Sequence, residues 1–163
     1  MALLPYTTNN EVRAILGVTD NELSDDALGL GVYERNLKRE LRDAGTNVTP
    51  IFRDFLAIPA SSRSETQIEF IEAVQVFSTY AVARQLGSAL PMFAPKEMGD
   101  GKSVMQRFGV SPYQDTLKTI ETMYNRAQLH LVSAYAAVQS MTGQTQLRSY
   151  MVVSSPSSDR VTG

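Results

Sequence analysis

The chain has 163 residues, 43% hydrophobic and 20% charged, a size and balance that suit one domain with a core of its own. Its net charge of −2 argues against a general nucleic-acid binder, which carries a strongly basic surface. The absence of cysteine excludes a disulfide framework and thiolate chemistry, and no apolar run approaches the roughly 18 residues of a membrane span.

The opening Met1-Ala2-Leu3-Leu4-Pro5-Tyr6 has no basic region before its short apolar run. No secretory leader is expected, and a protein made in the cytoplasm is. Thr8-Asn9-Asn10-Glu11 has the spacing of a capping box. Val12, Ile15 and Leu16 then give a short helix one apolar side, and Gly17 ends it. Ser24 predicts the N-cap of a second helix, with Asp25 and Asp26 where the helix dipole favours negative charge. Leu30, Tyr33, Leu37, Leu41 and Ala44 continue at helical spacing, and Gly45 suits the C′ position. Gly29 and Gly31 weaken the start of that helix. Its outward face, with Glu34, Arg35, Lys38, Arg39, Glu40, Arg42 and Asp43, reads first as a solvated surface and second as a subunit contact.

Thr49-Pro50 predicts an N-cap followed by proline at the first helical position, opening a short helix through Ile51, Phe52, Phe55 and Leu56 that stops near Pro59. After the polar Ser61-Ser62-Arg63-Ser64 a long helix is expected over residues 65–88. Ile68, Ile71, Val74 and Ser78 share one side, and Phe70, Phe77, Ala81 and Val82 widen it, so this helix belongs at the centre of a bundle. Pro91 and Pro95 mark a break. Residues 96–109 hold Gly99, Gly101 and Gly109 and little periodicity, the composition of a functional loop or hairpin. The last helix is expected over residues 111–141. Tyr113, Leu117, Ile120, Tyr124, Ala127, Leu131, Ala134, Val138 and Met141 alternate by four and three, which predicts packing within an antiparallel bundle rather than a coiled-coil dimer.

The chemistry-bearing residues do not assemble into a catalytic motif. Gly101-Lys102-Ser103 ends like a phosphate-binding loop, but that loop needs a glycine where Lys96 stands. His130 is the lone histidine, so with no cysteine a His/Cys metal cluster has no basis; it reads as a surface or boundary residue. Asp25 and Asp26 read as helix-start residues. No catalytic, cofactor or metal site is expected.

The chain continues past its last long helix with residues 142–163, too few for a second domain. Leu147-Arg148-Ser149-Tyr150-Met151-Val152-Val153 is apolar and favours extended structure, and the Ser-rich end contains Pro156 and Arg160. One isolated strand lacks backbone partners. This predicts an arm that folds back or docks on another protein, as in an assembly component. The fold class expected is all-α: an antiparallel helical bundle over residues 1–141 with a long inter-helix loop (96–109), and an extended C-terminal arm (142–163).

Three segments together carry a resemblance. Leu4-Pro5-Tyr6-Thr7-Thr8 leads into Glu11-Val12-Arg13-Ala14-Ile15-Leu16-Gly17-Val18 and then Asp20, Glu22 and Leu23. Gly99-Asp100-Gly101-Lys102, with Arg107-Phe108 behind it, lies between two long helices. The extended tail follows. As a layout this resembles the head–tail connector (adaptor, or head-completion) proteins of tailed bacteriophages over nearly the whole chain. The resemblance implies a structural virion protein, not an enzyme. It implies a ring, usually of twelve copies, beneath the portal at the head–tail junction, extending the DNA channel without sequence-specific binding and without a membrane. It also implies portal docking through the arm (Leu147, Tyr150, Met151, Val152, Val153, Pro156, Arg160). Subunit, tail or neck contacts would then fall on Lys96, Lys102, Arg107 and Phe108. Two other classes compete. A helix-turn-helix regulator would use residues 9–45, although its turn and second helix start acidic. A small enzyme or ligand-binding bundle would need a site that no motif supplies.

Overall fold

The computed structural model describes residues 3–87, 98–99, 104–105 and 110–141. The fold is all-α, with six helices packed together: α1 (Asn9–Leu16), α2 (Asp25–Leu28), α3 (Gly31–Ala44), α4 (Val48–Ala57), α5 (Glu65–Gly87) and α6 (Val110–Met141). Between α5 and α6 the described residues include a two-residue antiparallel pairing, Met98 opposite Met105 and Gly99 opposite Val104.

The capping box forms at α1. Thr8 Oγ1 accepts from the Glu11 N–H at 3.3 Å, and the Glu11 carboxylate accepts from the Thr8 N–H at 2.9 Å. Gly17 closes the helix at φ 67°, the left-handed conformation that glycine reaches without a Cβ penalty. The segment before α1 is tied to the bundle by Tyr6, stacked on Phe52 at 5.3 Å, and by Thr7, whose hydroxyl pairs with that of Thr79 at 2.8 Å.

The single helix expected from Ser24 to Ala44 is instead two. Ser24 caps α2 as expected, but the chain leaves helical geometry at Leu30, with ψ at 125°, before restarting in α3. Glycines on both sides of Leu30 each cost roughly 1 kcal/mol relative to alanine inside a helix, which lowers the barrier to the break. Leu28 is thereby fully buried while Leu30, expected on the inner face, is 54% exposed. Leu37 and Leu41 hold the inner face of α3.

The start of α4 also differs. It begins at Val48 after Asn47 rather than at Pro50 after a Thr49 cap, and Pro50 is its third residue, where the missing N–H has no intrahelical partner to lose. At its far end Arg63 reaches back, its Nε donating to the Ile58 carbonyl at 3.0 Å and its Nη2 to the Leu56 carbonyl at 3.1 Å. A second capping box opens α5: the Ser64 N–H donates to Gln67 Oε1 at 2.9 Å, and the Gln67 N–H to Ser64 Oγ at 3.3 Å.

Helix α5 is the centre of the bundle; α1, α3, α4 and α6 all pack on it. Phe70, Val74, Phe77, Ala81 and Val82 are fully buried there, and Ser78 is tolerated because its hydroxyl donates to the Val74 carbonyl at 2.6 Å. Ile68 departs from the expected buried side and is 41% exposed. Antiparallel to α5 runs α6, about 48 Å long for its 32 residues at about 1.5 Å each. Ile120, Tyr124, Ala127, Leu131, Ala134 and Val138 are its buried stripe, the four-and-three alternation read from the sequence. Leu117 is only half-buried, and Met141, at the helix end, is exposed.

Candidate functional site

Most residues assigned to contacts from the sequence lie outside the described residues: Lys96, Lys102, Arg107 and Phe108 between the long helices, and Leu147, Tyr150, Met151, Val152, Val153, Pro156 and Arg160 in the tail. What the structure does describe is the frame that carries them. The first group falls between the ends of α5 and α6, and the tail begins directly after α6.

Two polar clusters fix that frame. The first joins α1 to α2 through Arg13, which is buried. Its Nε donates to the Leu23 carbonyl at 2.8 Å, its Nη1 to Asn10 Oδ1 at 3.1 Å, and its Nη2 pairs with the Asp25 carboxylate. A buried cation is tolerated when its donors are satisfied in this way. Asn9 adds an amide donor to Asp25 at 2.9 Å. The Asn9 hydrogen bond, and then that of Arg13, hold the Asp25 carboxyl below its ordinary value of 3.8. A lowered folded-state value stabilises the fold above the unfolded value, and that contribution is lost as pH falls through the folded one. Asp25→Asn is therefore expected to lower the urea midpoint at pH 7. The difference from the parent should disappear toward pH 2; a gap that persisted there would assign it to packing rather than charge.

The second cluster lies where α3, α5 and α6 meet. Arg84 donates to Glu40 Oε1 at 3.2 Å, lies 3.7 Å from Glu121 Oε1, and stacks 3.9 Å from the centroid of the Tyr124 ring. Gln85 Nε2 donates to the same Glu40 oxygen at 3.2 Å, and Asn36 to Gln85 Oε1 at 3.3 Å. Burial raises the Tyr124 phenol above its ordinary value, the Glu40 charge adds to this, and Arg84 opposes it. A planar guanidinium suits this site because it stacks and pairs at once. Sequence reading placed Glu40 on the solvent face of α3. From the sequence Arg84 has no assigned role, because its partners come from helices distant in sequence.

The hydrogen bonds and ion pairs of both clusters join helices to one another. Among the described residues no group of three or more His, Cys, Asp or Glu could hold a metal ion. No described helix is long and apolar enough to cross a membrane. His130 is exposed, with Nε2 3.5 Å from Glu69 Oε1. Two depressions, of about 270 Å³ along Lys118, Thr119, Thr122, Met123 and Arg126 and about 330 Å³ beside Leu4, Thr7 to Asn10 and Asp25, are surface features without convergent reactive groups. No protein family matches the chain, and neither a curated protein nor a solved structure is significantly similar to it.

Proposed function

We propose that the protein is a structural component of a tailed-phage particle, a connector subunit that forms a ring at the portal vertex, joins capsid to tail and extends the DNA channel. The observation that supports this most is the layout of the bundle. An antiparallel pair of long helices, α5 and α6, forms a post, and the segment bearing Lys96, Lys102, Arg107 and Phe108 connects the end of α5 to the start of α6. The tail leaves from the opposite end, after Met141. A subunit with contact segments at both ends of a helical post suits a ring placed between two other rings. In this reading the tail is the portal-docking arm. Tyr150, Met151, Val152 and Val153 have strand preference, and such a segment docks through main-chain hydrogen bonds to a sheet edge or groove. Repeated around a ring, individually weak arms act together. The segment between α5 and α6 meets the neighbouring subunit or the tail side.

The helix-turn-helix alternative is weakened by the local structure. The helix after the first turn, α2, has only four residues, begins with Asp25 and Asp26, and is tied to α1 by Arg13, so residues 9–45 form three helices rather than two joined by one turn.

The test is the native mass of the full chain with and without a portal protein, beside a chain ending at Gly143. The full chain is expected to form a ring-sized complex with the portal. The shortened chain should retain its helical circular dichroism and fail to attach. Normal attachment by the shortened chain would refute the arm as docking element. A full chain that ignores the portal and shifts only with duplex DNA would refute the connector.

A further inference from the structure

Two exposed helix faces carry opposite charge at the same spacing. On α3, Arg35, Arg39 and Arg42 are exposed on the side away from the buried Leu37 and Leu41. Among the described residues, none of these three guanidiniums lies within 4.0 Å of a carboxylate. Lys38 on the same helix is paired with Glu34, and Asp43 is the other carboxylate of that face. Glu40 turns inward to Arg84. On α5, Glu65, Glu69 and Glu72 are exposed, and no Lys or Arg occurs in this helix before Arg84. Arg35-Arg39-Arg42 and Glu65-Glu69-Glu72 are both steps of four and then three, so each trio spans about 10 Å along one side of its helix.

Each face also exposes apolar surface. Leu30 (54%) and Val32 (41%) lie beside the arginines; Ile68 (41%) and Val76 (47%) lie among the glutamates. The two faces do not meet within one chain. Helices α1, α3, α4 and α6 pack on α5, the stripe of Glu65, Ile68, Glu69, Glu72 and Val76 stays exposed, with Glu69 at its α6 edge 3.5 Å from His130, and the arginines of α3 face away from α5.

We propose that the arginine face of α3 docks on the glutamate face of α5 in a second copy of this chain. Laid antiparallel, the helices set Arg35 opposite Glu72 and Arg42 opposite Glu65, with Val32 beside Val76; the middle pair, Arg39 and Glu69, is then offset by one residue, about 1.5 Å, within the reach of the two long side chains. Exposed ion pairs are individually weak; three together around apolar contacts give the charge complementarity and partial burial of a specific interface. Because the two faces differ, the contact is head-to-tail. It leaves one free face of each kind on any open chain and is satisfied at every subunit only on closure into a ring. The inference deepens the ring reading and rests on it for closure.

The cysteine-free chain allows a direct test. In the full chain, Arg39→Cys and Glu69→Cys introduce the only thiols, at two exposed positions. That pair faces across the contact, and packed helix axes are about 8–10 Å apart. A short bismaleimide is expected to give a ladder of dimers, trimers and higher species from the double variant, and no more than dimers from either single variant. Separately, Arg35→Glu with Arg39→Glu should raise the concentration for half-assembly at least about tenfold in sedimentation. Reversing Glu69→Arg and Glu72→Arg in the same chain should restore it, with helical circular dichroism unchanged throughout. A ring-sized mass without the ladder, unaffected by reversal, would overturn this face while leaving the ring reading intact. A ladder on open chains that never reach a closed mass would support the face and remove the ring. A monomer with and without portal, giving no ladder, would overturn both.

Discussion

Replacing Leu131 with alanine is expected to lower the unfolding free energy by about 2–5 kcal/mol, the usual cost of truncating a fully buried leucine. Leu131 has no exposed surface and sits at the middle of the buried stripe of α6, with Ala127, Ala134 and Tyr135 around it on the same helix. The stripe packs on α5, and Tyr135 reaches Phe70 across the seam at 6.4 Å between ring centroids. The helices cannot collapse freely onto a missing isobutyl group, since neighbouring contacts on the seam fix their separation. A cavity term therefore adds to the lost transfer free energy. Leu129→Ala is the internal control. Two residues away on the same helix, Leu129 is 72% exposed, and its truncation should change stability by no more than about 0.5 kcal/mol. Urea unfolding with unchanged m-values measures both. Equal midpoints for the two variants would refute the assignment of Leu131 to a buried face, and a larger loss at Leu129 would mean that the inner and outer faces of α6 have been exchanged.

That contrast was legible because a helix imposes one period on a long stretch, and α6 keeps it for six buried positions without a break. The same logic located α5 and put it at the centre, since a helix apolar on most sides has nowhere else to go. Caps were legible where a hydroxyl and a carboxylate stood three apart, as at Thr8 and Glu11. The Ser64–Gln67 pair satisfies the same rule with an amide, inside a segment whose Ser-rich composition reads as a polar loop. Signals failed where tertiary packing overrode local preference. The break at Leu30 leaves both Leu28 and Leu37 fully buried while Leu30 is exposed, and the flanking glycines offer little helix preference to resist it. The inward turn of Glu40 depends on Arg84, Gln85 and the Tyr124 ring, which no local window brings together. As for function, the chain's polar residues form no catalytic motif. The residues assigned to portal and tail contacts lie outside the described residues, so that assignment stands on sequence layout. The opposed arginine and glutamate faces needed the structure, because a mixed-charge helix shows its unpaired side only once the inward residues are known.

Gly45→Ala is expected to destabilise the fold by about 1–3 kcal/mol, the cost of overpacking a filled core, for a reason different from the one its position suggests. Placed just after α3, Gly45 looks like a left-handed helix terminator. Its φ is 174°, extended backbone open to any residue, so conformational freedom does not require glycine there. Space does. A Cβ at Gly45 would sit 2.6 Å from Cε1 of Tyr135 and 3.0 Å from its Cδ1, well inside contact distance. Tyr135 cannot simply swing aside: it is 9% exposed and tilted against Phe70. Gly45 and Tyr135 thus fix how closely the end of α3 approaches α6. Tyr135→Phe keeps both clashing ring carbons and should leave the Gly45→Ala penalty in place. Tyr135→Ala removes them, so in that background Gly45→Ala should become nearly neutral, giving a coupling energy of about the size of the single-site loss. Independent, additive losses would move the cause back to the backbone and dissolve the contact between the two residues as the element that sets the α3–α6 spacing.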